Sequence, residues 1–148
     1  MVWGAISSSG LGTLTIVRGN INAIRYIQVL QDNLLPLLDE FPLAVRNNLV
    51  FQQDNAPPHR AIITRNFLHD EGIAVTFWPP LSPDLNPIEN VWGILKRFVR
   101  QKRPETLTEL EEVVMNAWNT IVTRKLCRNL FGSMRSRLLN VLAHRGLR

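Results

Sequence analysis

Hydrophobic and polar positions at the start of the chain first repeat every two residues and then every three to four. Residues 2–7 form a short apolar run, the sequence S-S-G-L-G follows, and residues 13–18 (T-L-T-I-V-R) alternate. This pattern predicts a β-hairpin. Residues 20–40 have helical spacing, and Pro36 is expected to distort the last turn of that helix. The candidates for its N-cap are Asn20 and Asn22.

The middle of the chain alternates short apolar runs with a helical pattern. Residues 49–53 (L-V-F-Q-Q) predict a strand that ends at Asp54, and residues 73–78 (I-A-V-T-F-W) predict another. Between them, the tripeptide A-P-P predicts a turn and residues 59–69 predict a helix. Strands that alternate with helices favour an α/β sheet with helices on its faces.

A proline-rich stretch leads into the next helix. Each proline fixes φ and biases the preceding residue away from the helical conformation; the prolines are Pro79, Pro80, Pro83 and Pro87. Asn86 has the position of an N-cap, and Pro87 that of the first helical residue. The apolar residues that follow share one helical face. Glu89 lies off that face within one turn of the helix start, which predicts a carboxylate held in a fixed place.

Further helices are predicted towards the end of the chain. A capping box, formed by Thr106 or Thr108 with Glu109 or Glu111, predicts a helix over residues 107–122. Residues 125–146 predict one or two basic helices with a break at Gly132. The length fits one domain. It divides into a core over residues 1–122 and a basic helical tail over residues 123–148.

Composition excludes several classes of protein. Hydrophobic residues make up 45% of the sequence and charged residues 20%, which fits a globular protein rather than a disordered one. The single cysteine, Cys127, excludes a disulfide framework and a cysteine-built zinc site, and it suits the reducing cytosol or nucleus. The longest apolar runs are too short to span a membrane, and no signal-peptide pattern is found.

Charge is distributed unevenly along the chain. Residues 1–89 contain 5 Lys/Arg and 8 Asp/Glu, a net charge of −3, whereas residues 90–148 contain 12 and 4, a net charge of +8. A basic second half indicates a polyanionic partner, with nucleic acid as the first candidate. The alternative is a basic surface that only contacts water.

Two carboxylates are candidates for chemistry. Asp54 follows a predicted strand, and Glu89 begins the helix after the next strand, with 34 residues between them. Oxygen ligands of this kind suit Mg²⁺ or Mn²⁺, which support phosphoryl transfer. Alternatively, Asp54 is a turn residue and Glu89 interacts only with the helix dipole.

Two long motifs resemble a known family. V-F-Q-Q-D-N-A-P-P-H (residues 50–59) and S-P-D-L-N-P-I-E-N-V-W-G-I-L-K-R (residues 82–97) resemble the catalytic core of the Tc/mariner superfamily of cut-and-paste DNA transposases, which are DDE-type enzymes. The first twelve residues look like the segment after the first strand of that core. The resemblance extends from residue 2 to about residue 122.

The resemblance implies a ribonuclease H-like mixed sheet flanked by helices. It makes Asp54 the second catalytic acid and Glu89 the third, both ligands in a two-metal Mg²⁺ or Mn²⁺ site. It also implies transposon ends and target DNA as partners, a homodimer, and a nuclear location. In the family, water and then a freed 3′-hydroxyl attack DNA.

The first catalytic aspartate of the family has no match in this sequence. It lies on a strand before the segment that resembles this chain, and the acids that precede Asp54 here are predicted to face solvent: Asp32, Asp39 and Glu40. The resemblance therefore implies a sheet without its first, central strand, and a chain that is inactive alone. The neighbours of that strand would be the first hairpin strand and residues 49–53. Their facing edges are expected to pair with each other, to pair with another chain, or to stay open.

Other residues have supporting roles or simpler alternatives. Asn55, His59 and Asn86 are candidates to support the metal ligands, although His59 and Asn86 also fit helix caps. Trp92 and Trp118 are predicted in the core. Candidates for contact with DNA phosphates are Lys96, Arg97, Arg100, Arg135, Arg137, Arg145 and Arg148, which otherwise are solvated. The sequence thus predicts a fragment of a transposase; the alternative is a non-catalytic module for DNA binding or dimerisation.

Overall fold

The computed structural model describes residues 1–10, 12–79 and 82–143. These residues form two compact units. The first consists of Met1–Gly4 and Thr13–Ser82, and the second of Ala5–Gly12 and Pro83–Arg148. Within the described ranges, no helix is both long and apolar enough to cross a membrane.

The chain begins with the predicted hairpin. Strand β1 (Val2–Ile6) pairs with β2 (Gly12–Ile16). Beyond the strand ends, Met1 and Val17 exchange both backbone hydrogen bonds, at 3.1 and 2.8 Å, which is the pattern of an antiparallel pair. Leu11, in the predicted turn, lies outside the described residues.

A continuous helical stretch follows, as predicted for residues 20–40. It consists of α1 (Ala23–Val29), a π-helical segment (Leu30–Leu34) and α2 (Leu35–Asp39). Asn22 is the N-cap, since its Oδ1 accepts a hydrogen bond from the Arg25 N–H at 2.9 Å. The widened turn ends two residues before Pro36, which has no N–H to donate and whose ring crowds the previous turn. Pro36 thus distorts the middle of the stretch rather than its last turn.

The segment between this helix and Asp70 differs from the prediction in three places. Helix α3 (Leu43–Arg46) was not predicted, and strand β3 is only Val50–Phe51. The expected A-P-P turn is wrong, because the two prolines are the first residues of α4 (Pro57–Arg60). Proline is tolerated there, where its missing N–H would have no helical partner. Ala61 then interrupts the helix before α5 (Ile62–Asp70).

The second pair of strands is parallel. Strand β4 (Ala74–Val75) pairs with β3 in the register Val50 to Ala74 and Phe51 to Val75. Among the described residues, no ladder joins this pair to β1 and β2. The two strand edges that were expected to face a central strand therefore do not pair with each other.

The core of the first unit lies between the long helical stretch and α5. Its fully or nearly fully buried members are Tyr26, Leu30, Leu34 and Leu68. Side chains of both strand pairs, including Trp3 and Phe51, pack against them. The site residues after β3 therefore follow a strand that packs against this core.

The second unit is helical in its C-terminal part. A short 3₁₀ turn precedes the first helix, and four helices follow: Pro83–Leu85 (3₁₀), α6 (Pro87–Lys102), α7 (Leu107–Ile121), α8 (Arg124–Gly132) and α9 (Met134–Ala143). Trp92 and Trp118 have ring centroids 5.9 Å apart, and Trp118 is buried, as predicted for core residues. Helix α8 ends at Gly132, so the predicted break is confirmed; residues 144–148 lie outside the described part.

Gly93 offers a simple test of the packing of α6. An added Cβ would meet no atom within 4 Å, and glycine disfavours a helix interior. Gly93→Ala is therefore expected to stabilise the protein by about 0.5–1 kcal/mol. The matched control is Gly72→Ala, which also meets no atom, but Gly72 has φ +68°. This control should destabilise by about 1–2 kcal/mol. Urea unfolding of both variants measures the difference, and a loss of stability in Gly93→Ala would contradict the prediction.

Candidate active-site residues

Asp54 lies three residues after β3 and is held by its neighbours. Its Oδ1 accepts a hydrogen bond from the Ala56 N–H at 3.0 Å, which forms an Asx-type turn into α4. The same oxygen is 2.6 Å from His59 Nδ1, and the Asp54 side chain is 56% exposed. Among the described residues, no hydrogen-bond donor contacts the other carboxylate oxygen, Oδ2. Asp54 therefore combines the turn role with an accessible oxygen.

His59 is held on both sides. Its ring packs against Tyr26 with a centroid distance of 4.2 Å, and Nδ1 also lies 3.3 Å from the Asp54 backbone oxygen, a longer contact than the one to Oδ1. Burial raises the pKa of Tyr26, so its hydroxyl stays neutral and donates to Gln53 Oε1 at 2.7 Å. This arrangement fixes the direction of the Asp54 carboxylate. Sequence reasoning missed Tyr26; its only signal was a polar tip at a core position.

Asn55 connects the two loops that follow β3 and β4. Its Nδ2 donates to the Trp78 backbone oxygen at 2.9 Å. This bond spans 23 residues of sequence and restrains the segment that carries Asp54. Within the first unit, Asn55 thus acts as a link between loops.

Glu89 is the third residue of α6 and is exposed. Asn86 caps this helix, because its Oδ1 accepts from the Ile88 N–H over a long 3.4 Å. In a capping box, a glutamate at this position would accept the N–H of the cap residue. Here the Asn86 N–H donates to the Pro83 oxygen at 2.9 Å instead. No hydrogen bond or ion pair of the Glu89 carboxylate is found in the described part of the chain, so its oxygens are available for a ligand.

Glu109 is the matched case in α7, where it is also the third helical residue. Thr106 caps that helix by accepting from the Glu109 N–H at 3.2 Å, and Glu109 Oε2 accepts from the Glu105 N–H at 2.8 Å. Of the predicted capping boxes, the structure therefore contains the one that Thr106 forms with Glu109. The bond from the Glu105 backbone is the main reason that the pKa of Glu109 is lowered. The cap uses this carboxylate, whereas that of Glu89 accepts no hydrogen bond from the described residues.

The exposed face of α6 is basic beyond Glu89. Lys96, Arg97 and Arg100 are exposed and follow Glu89 at intervals of 7, 8 and 11 residues, which places them on the same side of the helix. Gly93 lies between, with open space over its backbone. In the tail, Arg135 is exposed and Arg137 is bonded within the protein. Arg145 and Arg148 lie outside the described residues.

The donor chemistry of the two acids fits Mg²⁺ or Mn²⁺, which prefer carboxylate oxygen. Asp54 belongs to the first unit and Glu89 to the second. In the described ranges, no three His, Cys, Asp or Glu side chains are grouped closely enough to hold a metal ion. The assignment of both acids as metal ligands stays a prediction.

Comparison with known proteins gives consistent matches. The family described as "DDE superfamily endonuclease" matches residues 1–111. The chain is 36% identical over 148 residues to the Tc3 transposase of Caenorhabditis elegans, covering 99% of this chain but only 44% of that protein. It is 31% identical over 121 residues to the Tc1 transposase of the same organism, covering 82% and 43%.

The fold of the chain is similar to that of solved transposase structures. The catalytic domain of Mos1 mariner transposase is similar with a TM-score of 0.84 and 20% identity, covering 99% of this chain and 74% of that one. A Mos1 paired-end complex with the left transposon end matches with a TM-score of 0.79 and 21% identity, covering 97% and 42%. This similarity confirms the ribonuclease H-like fold predicted from the sequence. Mos1 catalytic domains have also been solved with Mg and with Mn.

Proposed function

Because the chain belongs to the DDE superfamily endonuclease family, within the Tc/mariner transposases, we propose that Asp54 and Glu89 are two of the carboxylates that bind the catalytic divalent cation. The observation that carries the proposal is the state of these two groups. Each lies inside a family motif, is exposed, and keeps at least one oxygen free of described protein donors. The matched Glu109 shows what a purely structural glutamate does in this protein.

The reaction proposed for the intact enzyme has two steps. Water attacks a phosphodiester at the transposon end, and the bond from phosphorus to the 3′ oxygen breaks. The freed 3′-hydroxyl then attacks a phosphodiester of the target DNA, where the new P–O bond replaces the bond to the target's own 3′ oxygen, which leaves as a hydroxyl. When bound, the cation would supply charge stabilisation and activation of the attacking oxygen. His59 and the Ala56 N–H hold Oδ1 of Asp54, and Oδ2 has no donor among the described residues. The chain acts by placing carboxylates and needs no nucleophilic side chain.

The basic face of α6 is proposed to bind the DNA phosphates. Lys96, Arg97 and Arg100 share the side of the helix that carries Glu89, and phosphate contacts of this kind position a duplex without reading its sequence. The Mos1 complex with a transposon end supports this proposal by similarity of fold. With DNA as the proposed substrate, the nucleus stays the predicted location. A second copy of the chain as partner stays a prediction.

Binding of Mn²⁺ tests the metal proposal. The 148-residue chain is expected to bind Mn²⁺ saturably in a calorimetric titration, and Asp54→Asn should weaken binding by about tenfold or more, since even partners of metal ligands contribute that much. Glu112→Gln, another exposed carboxylate on a helix, is the control and should bind like the wild type. No binding by the wild type, or equal binding by Asp54→Asn, would contradict the proposal.

Cleavage of DNA tests whether these residues suffice. The family resemblance assigns the first catalytic aspartate to a strand that these 148 residues do not contain, so we expect no nicking of supercoiled plasmid by them in Mg²⁺ or Mn²⁺. Reproducible nicking that Asp54→Asn abolishes would show that the chain contains a complete catalytic centre.

The second candidate function is DNA binding without catalysis, and the net charge of +8 over residues 90–148 favours it. Lys96→Ala, Arg97→Ala and Arg100→Ala together should reduce the slope of log affinity against log salt by about 1 per cation removed. Arg65→Ala, an exposed arginine of α5, is the control. Fluorescence anisotropy measures the slopes, and an unchanged slope in the triple variant would contradict a role for this face.

A further inference from the structure

The guanidinium group of Arg137, in α9, donates hydrogen bonds to other residues of the second unit. Nε and Nη2 donate to Ser133 Oγ at 3.0 and 2.7 Å, and Nη2 also donates to the Leu130 oxygen at 2.8 Å. On its other side, Nη1 donates to the Asp84 backbone oxygen at 3.1 Å. The last bond connects residues 53 positions apart. A side chain with three bonded nitrogens is restrained in a way that a solvated cation is not.

The bonds to Ser133 and Leu130 fix one end of this arrangement. Both acceptors lie at the junction of α8 and α9, and the Ser133 hydroxyl itself donates to the Leu130 oxygen at 2.8 Å. The planar guanidinium is therefore oriented before it reaches Asp84, which reduces the entropy that the last bond must overcome. The guanidinium group thus offers Nη1 at a defined position.

The other end is the turn that leads into α6. Asp84 is the middle residue of the 3₁₀ turn, and the next residue, Leu85, is buried. The N–H of Asn86 bonds to Pro83, and Pro87 has a fixed φ. With so little backbone freedom, a shift of the Asp84 carbonyl must move the cap and the first turn of α6, which carries Glu89.

We propose that Arg137 is a positioning residue for Glu89. The side chain fastens the 3₁₀ turn to the α8–α9 junction and so sets the direction of the first turn of α6. This inference rests on the proposed function of Glu89. Its neighbour Arg135 is exposed and has no described partner, which leaves that residue, rather than Arg137, to contact phosphate.

Amide hydrogen exchange, measured by NMR on the 148-residue chain, tests the positioning role without any metal. In Arg137→Met, the amides of Asn86 and Glu89 are expected to exchange about tenfold faster or more, because the turn before α6 loses its hydrogen bond to α9 and opens more easily. The exchange rates of amides in the middle of α7 should not change. Arg135→Met should leave the exchange rates of all these amides unchanged. Equal acceleration throughout the second unit, or none at Asn86 and Glu89, would overturn the inference.

Metal binding gives the second readout. Arg137→Met is expected to weaken Mn²⁺ binding severalfold, and Arg137→Lys should recover part of it, since lysine can reach Asp84 but lacks the fork that bonds Ser133. If Glu89→Gln leaves Mn²⁺ binding unchanged, the proposed function fails, and the exchange rates still decide the role of Arg137. Full Mn²⁺ affinity in Arg137→Met, with Glu89 required, would overturn the inference.

Discussion

Gly10→Ala is expected to destabilise the protein by several kcal/mol, through the combined cost of a strained backbone and a steric clash. Gly10 has φ +91°, a conformation that costs residues with a Cβ about 1–2 kcal/mol. Its added Cβ would also lie 2.4 Å from Cγ and 2.5 Å from Cα of Arg124, at the start of α8. A backbone atom cannot move aside as a side-chain end can. The turn of the hairpin or the start of α8 must therefore shift, with a cost typical of overpacking, about 1–3 kcal/mol in addition.

Gly19→Ala separates the cost of the strained backbone from the cost of the steric clash. Gly19 has φ +79° and no atom within 4 Å of an added Cβ, so this control includes the strain without the clash. Urea unfolding followed by circular dichroism should show a larger decrease of the midpoint for Gly10→Ala than for Gly19→Ala. Equal decreases would mean that Gly10 does not pack closely on Arg124.

Local patterns in the sequence predicted most helices and their caps, because the responsible residues are neighbours along the chain. Asn22, Asn86 and Thr106 each accept a hydrogen bond from an N–H two or three residues on. The strands were predicted too long. Among the described residues, β3 pairs only with β4, and Val50 is 61% exposed. Apolar spacing indicates burial, but the length of a ladder depends on partners that spacing does not reveal.

The candidate site was predictable only in part for the same reason. The two sequence motifs identified Asp54 and Glu89 as candidate catalytic carboxylates. The contacts that orient them join distant positions: Tyr26 reaches Gln53 across 27 residues, and Arg137 reaches Asp84 across 53. A sequence pattern shows that Arg137 is basic, and only the fold shows that its donors are used within the protein. Long-range hydrogen bonds thus distinguish a positioning cation from one available for DNA.

Glu89→Gln and Glu109→Gln are expected to affect different properties, Mn²⁺ binding and stability respectively, although each glutamate is the third residue of its helix. Glu89 has no described protein partner, so Glu89→Gln should weaken Mn²⁺ binding by about tenfold or more while changing the urea midpoint little. Glu109→Gln should bind Mn²⁺ normally but unfold at lower urea, because it loses the charged acceptor of the Glu105 N–H.

The pH dependence of stability gives a second test of Glu109. Since the pKa of Glu109 is lowered from its ordinary 4.5 in the folded protein, its contribution to stability is fully present above pH 4.5. That contribution is lost as the pH falls through the lower, folded pKa. Glu109→Gln should therefore flatten the acid side of the stability profile. Weak Mn²⁺ binding in both variants would mean that the loss reflects damage to the helices rather than removal of a ligand. Normal binding in both would remove Glu89 from the metal site.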